Sequence, residues 1–235
     1  MKKINILITI LGISGWITQA QAEVGYGISQ TETKPHIQLG DKNGEPGIGI
    51  SLLPDSLYTA SELKELATLD DNGIYRYKLE DNWSIENQYI DIGQVPNADV
   101  YFGEWAQTTP DKSDITHTVF YIGKDVTTNM PNSGTATYSV KGLSQYNGNN
   151  LLNGQLVANF DTKKLEGSLS NDSLKIGINA NINDNAEFSG NATANNSIKG
   201  ITDGKFYGDS ASSVAGYTKF DSDRSKDTAF GGTKQ

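Results

Sequence analysis

Few residue types in this chain can hold a metal ion. Of its 235 residues, two are histidines, His36 and His117, and none is a cysteine. His117 lies close in sequence to five aromatic residues, which are Tyr101, Phe102, Trp105, Phe120 and Tyr121. An imidazole beside aromatic side chains can hold a flat, apolar cofactor through a metal ion. The alternative is that His117 is simply a polar residue of a strand.

The segments around His117 predict a pair of strands. Residues 100–106 and 116–122 are rich in β-branched and aromatic residues, which favour a pleated and half-buried surface. His36 follows Pro35, so its surroundings predict a loop that leads into a short strand. Taken alone, His36 has the sequence context of an exposed loop histidine.

The composition excludes several classes of function. The formal net charge of −9 suits neither nucleic acid nor an anionic membrane surface. The lack of cysteine excludes disulfides, thiolate nucleophiles and cysteine-based zinc sites. No nucleophile elbow, zinc-protease motif or phosphate-binding loop is present, so we expect that the protein is not an enzyme. Residues 221–227 resemble the start of a calcium loop, but Gly232 stands where the bidentate Glu is needed, which favours a solvated turn.

Residues 1–22 are predicted to be a signal peptide. Lys2 and Lys3 precede an apolar run over residues 4–13, and residues 20–22 (AQA) form a small-x-small cleavage pattern. We expect a mature N-terminus at Glu23, without a cysteine next to it for lipid attachment. The expected location is extracellular, reached by secretion through the periplasm.

The remaining chain predicts a mainly β fold in two domains. Residues 23–128 are expected to form a mixed β ligand-binding domain with one short helix, which begins at the capping-box pattern of Thr59 and Glu62. Residues 129–235 alternate apolar and polar side chains between short turns, which predicts an eight-stranded antiparallel β-barrel filled by its own side chains. The predicted barrel strands are 135–141, 154–161, 164–170, 173–182, 187–194, 204–208, 213–220 and 228–233. Strands before the barrel are also predicted at 74–79 and 83–92.

The order of several short segments in the second half resembles a known family. These segments are 134–138 (GTATY), 158–161 (ANFD), 164–167 (KLEG), 188–190 (FSG), 204–208 (GKFYG) and 229–232 (AFGG). They resemble the barrel of transferrin-binding-protein-B-like and factor-H-binding-protein-like surface proteins. Without a lipid-acceptor cysteine, the layout is similar to that of the secreted haemophilin-type haemophores, which carry a smaller haem domain ahead of the barrel.

The resemblance implies a cofactor and partners. It implies haem b as the ligand, haemoglobin as a possible donor, an outer-membrane haem receptor, and export by a Slam-type translocator. Haem iron is ligated in proteins by His, Met, Cys or Tyr. With cysteine absent, we predict bis-histidine ligation by His117 and His36. The macrocycle is expected to lie against aromatics drawn from the five named above, of which only some can face it because they alternate in direction. The alternative is a protein of the same barrel family that binds a host protein or an apolar ligand such as a carotenoid, without haem.

Overall fold

The structure, a computed structural model, describes residues 23–51, 57–79, 88–107 and 115–235. Among them lies one α-helix, and most other residues are in strands, as the sequence predicts. The predicted signal peptide, residues 1–22, and the first part of the predicted strand 83–92 lie outside the described residues. None of the described helices is long and apolar enough to cross a membrane.

The first part of the chain forms two antiparallel sheets. A six-stranded sheet has the order β1-β9-β8-β7-β6-β5, and a smaller sheet has the order β2-β3-β4. The strands are β1 Gly25–Ile28, β2 Ile37–Lys42, β3 Glu45–Ile50, β4 Tyr58–Thr59, β5 Thr68–Leu69, β6 Ile74–Leu79, β7 Gln88–Gln94, β8 Val100–Trp105 and β9 Thr118–Gly123. His117 therefore lies directly before β9 rather than inside it.

The helix α1, Ala60–Leu66, begins where the sequence predicts. The side chain of Thr59 accepts a hydrogen bond from the backbone N–H of Glu62, and the Glu62 side chain accepts one from the backbone N–H of Thr59. This capping box satisfies two N–H groups that a helix start leaves without partners. Ala67 then takes an extended conformation and ends the helix. The buried residues Ala60 and Leu63 attach the helix to the core beneath the small sheet.

The second part of the chain is a closed barrel of eight antiparallel strands, which confirms the predicted architecture. Its strands are β10 Thr135–Leu143, β11 Leu152–Asn159, β12 Lys164–Ser170, β13 Lys175–Ile182, β14 Glu187–Ala194, β15 Ile198–Tyr207, β16 Ser213–Lys219 and β17 Thr228–Lys234. The last strand pairs with the first, from Tyr138 opposite Lys234 to Leu143 opposite Ala229. Closure leaves no sheet edge open to pairing with another chain.

The largest difference from the predicted barrel strands is at β15. It begins at Ile198, six residues before the predicted start at 204. Over residues 198–204 the sheltered positions hold the small residues Gly200, Thr202 and Gly204, while Ile201 is exposed. The hydrophobic alternation that marks a strand is therefore missing from these residues. Its pairing with β14, from Ala194 opposite Ile198 onward, determines the conformation instead.

Apolar side chains fill the barrel interior. Tyr138, Leu156, Leu165, Ile176, Phe188, Phe206 and Phe230 all lie in one buried cluster. The rings of Phe188 and Phe206 meet edge to face with centroids 5.6 Å apart, an arrangement that aromatic pairs favour. The interior therefore serves as a core, as the sequence predicts.

The six-stranded sheet packs against the barrel through close approaches and buried hydrogen bonds. A Cβ added to Gly231 of β17 would lie 2.6 Å from the ring of Phe102, so glycine allows β8 to approach the barrel. The hydroxyl of Tyr207 donates to the carbonyl oxygen of Gly25 at 2.9 Å. The hydroxyl of Tyr121 donates to Asp203 at the same distance. The domain bounds predicted from sequence, 23–128 and 129–235, stay a prediction.

Candidate functional site

His36 lies at a surface cleft of about 440 Å³ between the six-stranded sheet and the small sheet. The cleft is lined by Tyr26, Ile28, Thr31, His36, Ile37, Gln38, Leu39 and Leu57. β1 contributes Tyr26 and Ile28, and β2 contributes Ile37 to Leu39. Apolar walls with a few polar groups are typical of a small-molecule site. The cleft therefore has the character of a ligand pocket.

The backbone and ring of His36 are both held in place. Its backbone N–H donates to the hydroxyl of Ser51 at 2.9 Å, and the backbone N–H of Ser51 donates to the His36 carbonyl at 2.9 Å. The ring atom Nδ1 lies 2.8 Å from the carbonyl oxygen of Thr33. A carbonyl oxygen can only accept, so Nδ1 carries the proton, and in the neutral ring Nε2 keeps its lone pair. Within the described residues, Nε2 of His36 has no hydrogen-bond partner.

Lys42, at the end of β2, contacts side chains at β4 and at the start of α1. Lys42 donates to Glu62 at 2.9 Å, and its ammonium group lies 5.6 Å from the centroid of the Tyr58 ring. The hydrogen bond from Lys42, followed by the backbone N–H of Thr59, lowers the pKa of Glu62. Tyr26, which lines the cleft, is 47% exposed and offers ring surface to a bound molecule.

His117, the second predicted ligand, does not line this cleft. It is 1% exposed, with Nε2 at 2.9 Å from Oε2 of Glu104, which is fully buried. Its Nδ1 lies 3.1 Å from the carbonyl oxygen of Arg224. Both ring nitrogens are thus occupied by hydrogen bonds. An iron ion could bind His117 only after one of these bonds had broken.

The Glu104 carboxylate also connects the six-stranded sheet to the barrel. It accepts from the backbone N–H of Gln145 at 2.8 Å and from that of Tyr146. The guanidinium of Arg224 also donates a hydrogen bond to the His117 carbonyl oxygen, at 3.0 Å. Glu104 lies on β8 and His117 directly before β9, while the other three residues belong to the barrel part of the chain. The hydrogen bonds of this cluster hold the six-stranded sheet against the barrel.

The five aromatic residues predicted to face the ligand are all at most 2% exposed and lie on two faces of the six-stranded sheet. Phe102 and Tyr121 belong to the core shared with the barrel. Tyr101, Trp105 and Phe120 belong to the core beneath the small sheet. Burial raises the pKa of Tyr101 to about 12, so its phenol stays neutral near pH 7. In this arrangement none of the five lines the His36 cleft. Their predicted role as cofactor contacts stays a prediction.

Other sequence features have structural roles. Among the described residues, no three His, Cys, Asp or Glu side chains lie close enough to hold a metal ion. The calcium-like run instead contains a short 3₁₀ helix, Arg224–Lys226, capped by the side chain of Asp223. Asp227 is buried and accepts from the backbone N–H of Phe220 and from the Arg224 side chain, so the predicted solvated turn is wrong at this residue.

Sequence reasoning missed most of the cleft, because its walls come from separate segments. Leu57, Leu39 and Tyr26 show no shared periodicity. It also missed the partner of His117, for which one signal existed: Glu104 is the only charged residue of strand β8. A carboxylate in such a buried strand requires a partner.

Comparisons with known proteins agree on the family and the fold. Residues 11–118 match the family model described as HphA N-terminal heme-binding domain, and residues 128–234 match HphA C-terminal domain. An uncharacterized protein of Haemophilus influenzae is 38% identical over 112 residues, which are 43% of this chain and 38% of the relative. The match thus spans under two fifths of that relative.

Solved structures share the fold. HpuA from Kingella denitrificans, in complex with human haemoglobin, has a TM-score of 0.62 at 19% identity, covering 93% of this chain and 89% of HpuA. The apo form of HpuA gives 0.62 at 18% identity, covering 93% and 88%. Intact Ap-TbpB, with N and C lobes, gives 0.53 at 14% identity, covering 90% of this chain and 46% of that protein. At these identities the likeness concerns the fold alone.

Proposed function

The chain belongs to the HphA family, whose two domain models together match most of its length, and from this premise we propose that it binds haem through His36. The matching N-terminal model is described as heme-binding, which supports haem as the ligand class. Because the chain has no cysteine, it has no thioether attachment site, which excludes c-type haem. We propose haem b, bound without thioether links.

One observation carries the assignment of His36. A histidine that ligates a metal ion almost always donates its other ring N–H to a carbonyl or carboxylate. The Nδ1 of His36 has this contact, at 2.8 Å from the Thr33 carbonyl oxygen. The contact leaves the lone pair of Nε2 available and restricts the rotation of the ring. Neutral imidazole is a good iron ligand near pH 7.

The cleft walls fit a flat, apolar macrocycle. The volume of about 440 Å³ lies in the usual range for small-molecule sites. Ile28, Leu39 and Leu57 supply apolar surface, and burial of porphyrin carbon against them is favourable. When bound, the haem would supply an iron centre, and His36 would hold it. The protein supplies binding and orientation.

We further propose that the protein is a secreted haemophore and not an enzyme. It would take haem from a host haemoprotein such as haemoglobin and deliver it to an outer-membrane haem receptor after export by a Slam-type translocator. The shared fold with HpuA, a protein solved in complex with human haemoglobin, supports a role near host haem. The sequence pattern of residues 1–22 supports secretion.

Titration with hemin tests the proposal. Wild-type protein is expected to give a shifted Soret band that saturates at one haem per chain. His36→Ala is expected to lower the hemin affinity at least about tenfold. Loss of an iron ligand should weaken binding more than loss of a residue that only orients a ligand, which typically costs about 10- to 100-fold in affinity. Added imidazole should restore part of the wild-type spectrum in His36→Ala if the cleft remains intact. Circular dichroism of haem-free protein serves as the control for folding.

Two outcomes would contradict the proposal. If wild-type protein leaves the hemin spectrum unchanged but takes up a carotenoid, the cleft serves a metal-free apolar ligand. If His36→Ala binds hemin with wild-type affinity and spectrum, another residue ligates the iron.

A further inference from the structure

Gln30 is a buried polar residue between β1 and the segment that carries His36. Its side chain is 3% exposed. A primary amide so far from water is costly unless its donors and acceptor are all used. The contacts that satisfy it therefore show what it holds together.

The amide nitrogen of Gln30 faces the start of β9. It donates to the hydroxyl of Thr118 at 2.6 Å and to the carbonyl oxygen of Thr116 at 3.2 Å. The Thr118 hydroxyl itself donates to the Thr116 carbonyl at 2.8 Å, so its lone pair is free to accept from Gln30. Since a carbonyl can only accept, the nitrogen must lie on this side of the amide.

The amide group of Gln30 also contacts Thr33. Its oxygen accepts from the backbone N–H of Thr33 at 3.2 Å, and the Thr33 hydroxyl lies 2.9 Å from the amide nitrogen and 3.1 Å from the amide oxygen. The carbonyl oxygen of Thr33 accepts a hydrogen bond from Nδ1 of His36 at 2.8 Å. A continuous line of hydrogen bonds thus runs from β9 through Gln30 and Thr33 to the imidazole.

We infer that Gln30 is a positioning residue, which fixes the tautomer and orientation of His36 by holding Thr33 against β9. This inference rests on the proposed function, because the orientation of His36 matters for haem binding only if His36 ligates the iron. Outer-shell groups that orient a metal ligand typically change affinity about 10- to 100-fold when they are removed. Gln30 contacts His36 only through Thr33, so we expect a loss at the lower end of this range, about tenfold in hemin affinity.

Two substitutions separate positioning from general packing. Gln30→Glu keeps the shape but places a carboxylate oxygen against the Thr116 carbonyl, so the link to β9 is lost. Gln30→Met removes the polar links without adding a buried charge, which covers the case in which Gln30→Glu fails to fold. Gln155→Glu, on the exposed outer side of β11, is the matched control for an added negative charge.

The tautomer of His36 can be read in haem-free protein by long-range ¹H–¹⁵N correlation spectra recorded near pH 8. Wild type and Gln155→Glu are expected to show the Nδ1-protonated form alone. Gln30→Glu and Gln30→Met are expected to show a mixture of tautomers and about tenfold weaker hemin binding.

The outcomes distinguish this inference from the proposed function. An unchanged tautomer together with hemin affinity within twofold of wild type, in folded Gln30 variants, would overturn the positioning role and leave haem binding intact. A tautomer that depends on Gln30, in a wild-type protein that takes up no hemin, would support the positioning of His36 and overturn the haem proposal.

Discussion

Nε2 of His117 lies 2.9 Å from the carboxylate of Glu104, and the two side chains are 1% and 0% exposed. On the other side of the ring, Nδ1 faces the carbonyl oxygen of Arg224. Both nitrogens of the ring therefore face oxygen atoms of the protein. Glu104 accepts two backbone N–H groups as well, which suits an ionised carboxylate. The pair ties the six-stranded sheet to the barrel.

We predict that Glu104→Gln destabilises the protein by about 3 kcal/mol, because buried groups that now meet a carboxylate lose a charged acceptor. An amide has one acceptor oxygen, whereas both oxygens of the carboxylate accept hydrogen bonds. Chemical denaturation of haem-free protein measures the change. Glu166→Gln is the control, because Glu166 is exposed on β12 and accepts one hydrogen bond, from Asn179 at 3.1 Å. It is expected to stay within about 0.5 kcal/mol of wild type. Equal effects of the two substitutions would contradict a special role for Glu104.

Substitution of His117 separates a structural from a ligating role. We predict that His117→Gln lowers the stability but leaves the Soret band of the hemin complex at the wild-type position, because both ring nitrogens already have protein partners. The spectrum is recorded well below the unfolding temperature of the variant. A spectrum altered in the same way as that of His36→Ala would instead support the bis-histidine site predicted from sequence.

The barrel could be predicted from sequence because local patterns and global fold agree there. β12 and β14 occupy the predicted residues, since their alternation and tight turns leave few other arrangements. The start of β15 could not be predicted, because Gly200, Thr202 and Gly204 hide the alternation. The capping box of Thr59 and Glu62 located α1.

The site was harder to predict than the fold, because a cleft is formed by contacts between distant segments. For both candidate histidines, the surroundings in the structure differ from those that the sequence suggests. His36, which reads as an ordinary loop residue, lies at a cleft with its ring oriented by Thr33. The sequence places His117 near several aromatic residues, but its two ring nitrogens contact Glu104 and Arg224. Neighbours along the chain do not reveal on which face of a sheet a side chain is buried.

The contact between Tyr121 and Asp203 predicts a dependence of stability on pH. Burial raises the pKa of the Asp203 carboxyl, and the hydrogen bond from Tyr121 opposes this rise only in part. A carboxyl with a higher pKa in the folded state binds its proton more tightly there than in the unfolded chain. Its ionisation therefore costs stability as the pH rises from the unfolded value, about 3.9, through the folded value.

We predict that Asp203→Asn is more stable than wild type at pH 7 and that this difference disappears below about pH 4. Asn keeps the oxygen that accepts from the Tyr121 hydroxyl, and burial raises the pKa of Tyr121 far above its usual value, so that hydroxyl donates throughout. Denaturation midpoints of both proteins across this pH range measure the effect. A difference that is the same at every pH would show that ionisation of Asp203 is not its cause.

The last prediction concerns the movement of haem between proteins. If the His36 cleft serves to capture haem, haem-free protein mixed with methaemoglobin should gain a Soret band of its own within hours. The cleft opens at the surface and Tyr26, which lines it, is partly exposed, so haem can enter without disruption of the barrel. The formal charge of −9 allows the two proteins to be separated by anion exchange.

The rate of this transfer distinguishes two routes. A rate equal to the spontaneous loss of haem from methaemoglobin indicates that the protein only traps free haem, whereas a faster rate that rises with its concentration requires contact with the donor. His36→Ala is expected to gain little haem by either route, because it lacks the ligand that retains the iron. Wild-type protein that binds free hemin but gains none from methaemoglobin would contradict haemoglobin as the donor and leave the haem site itself supported.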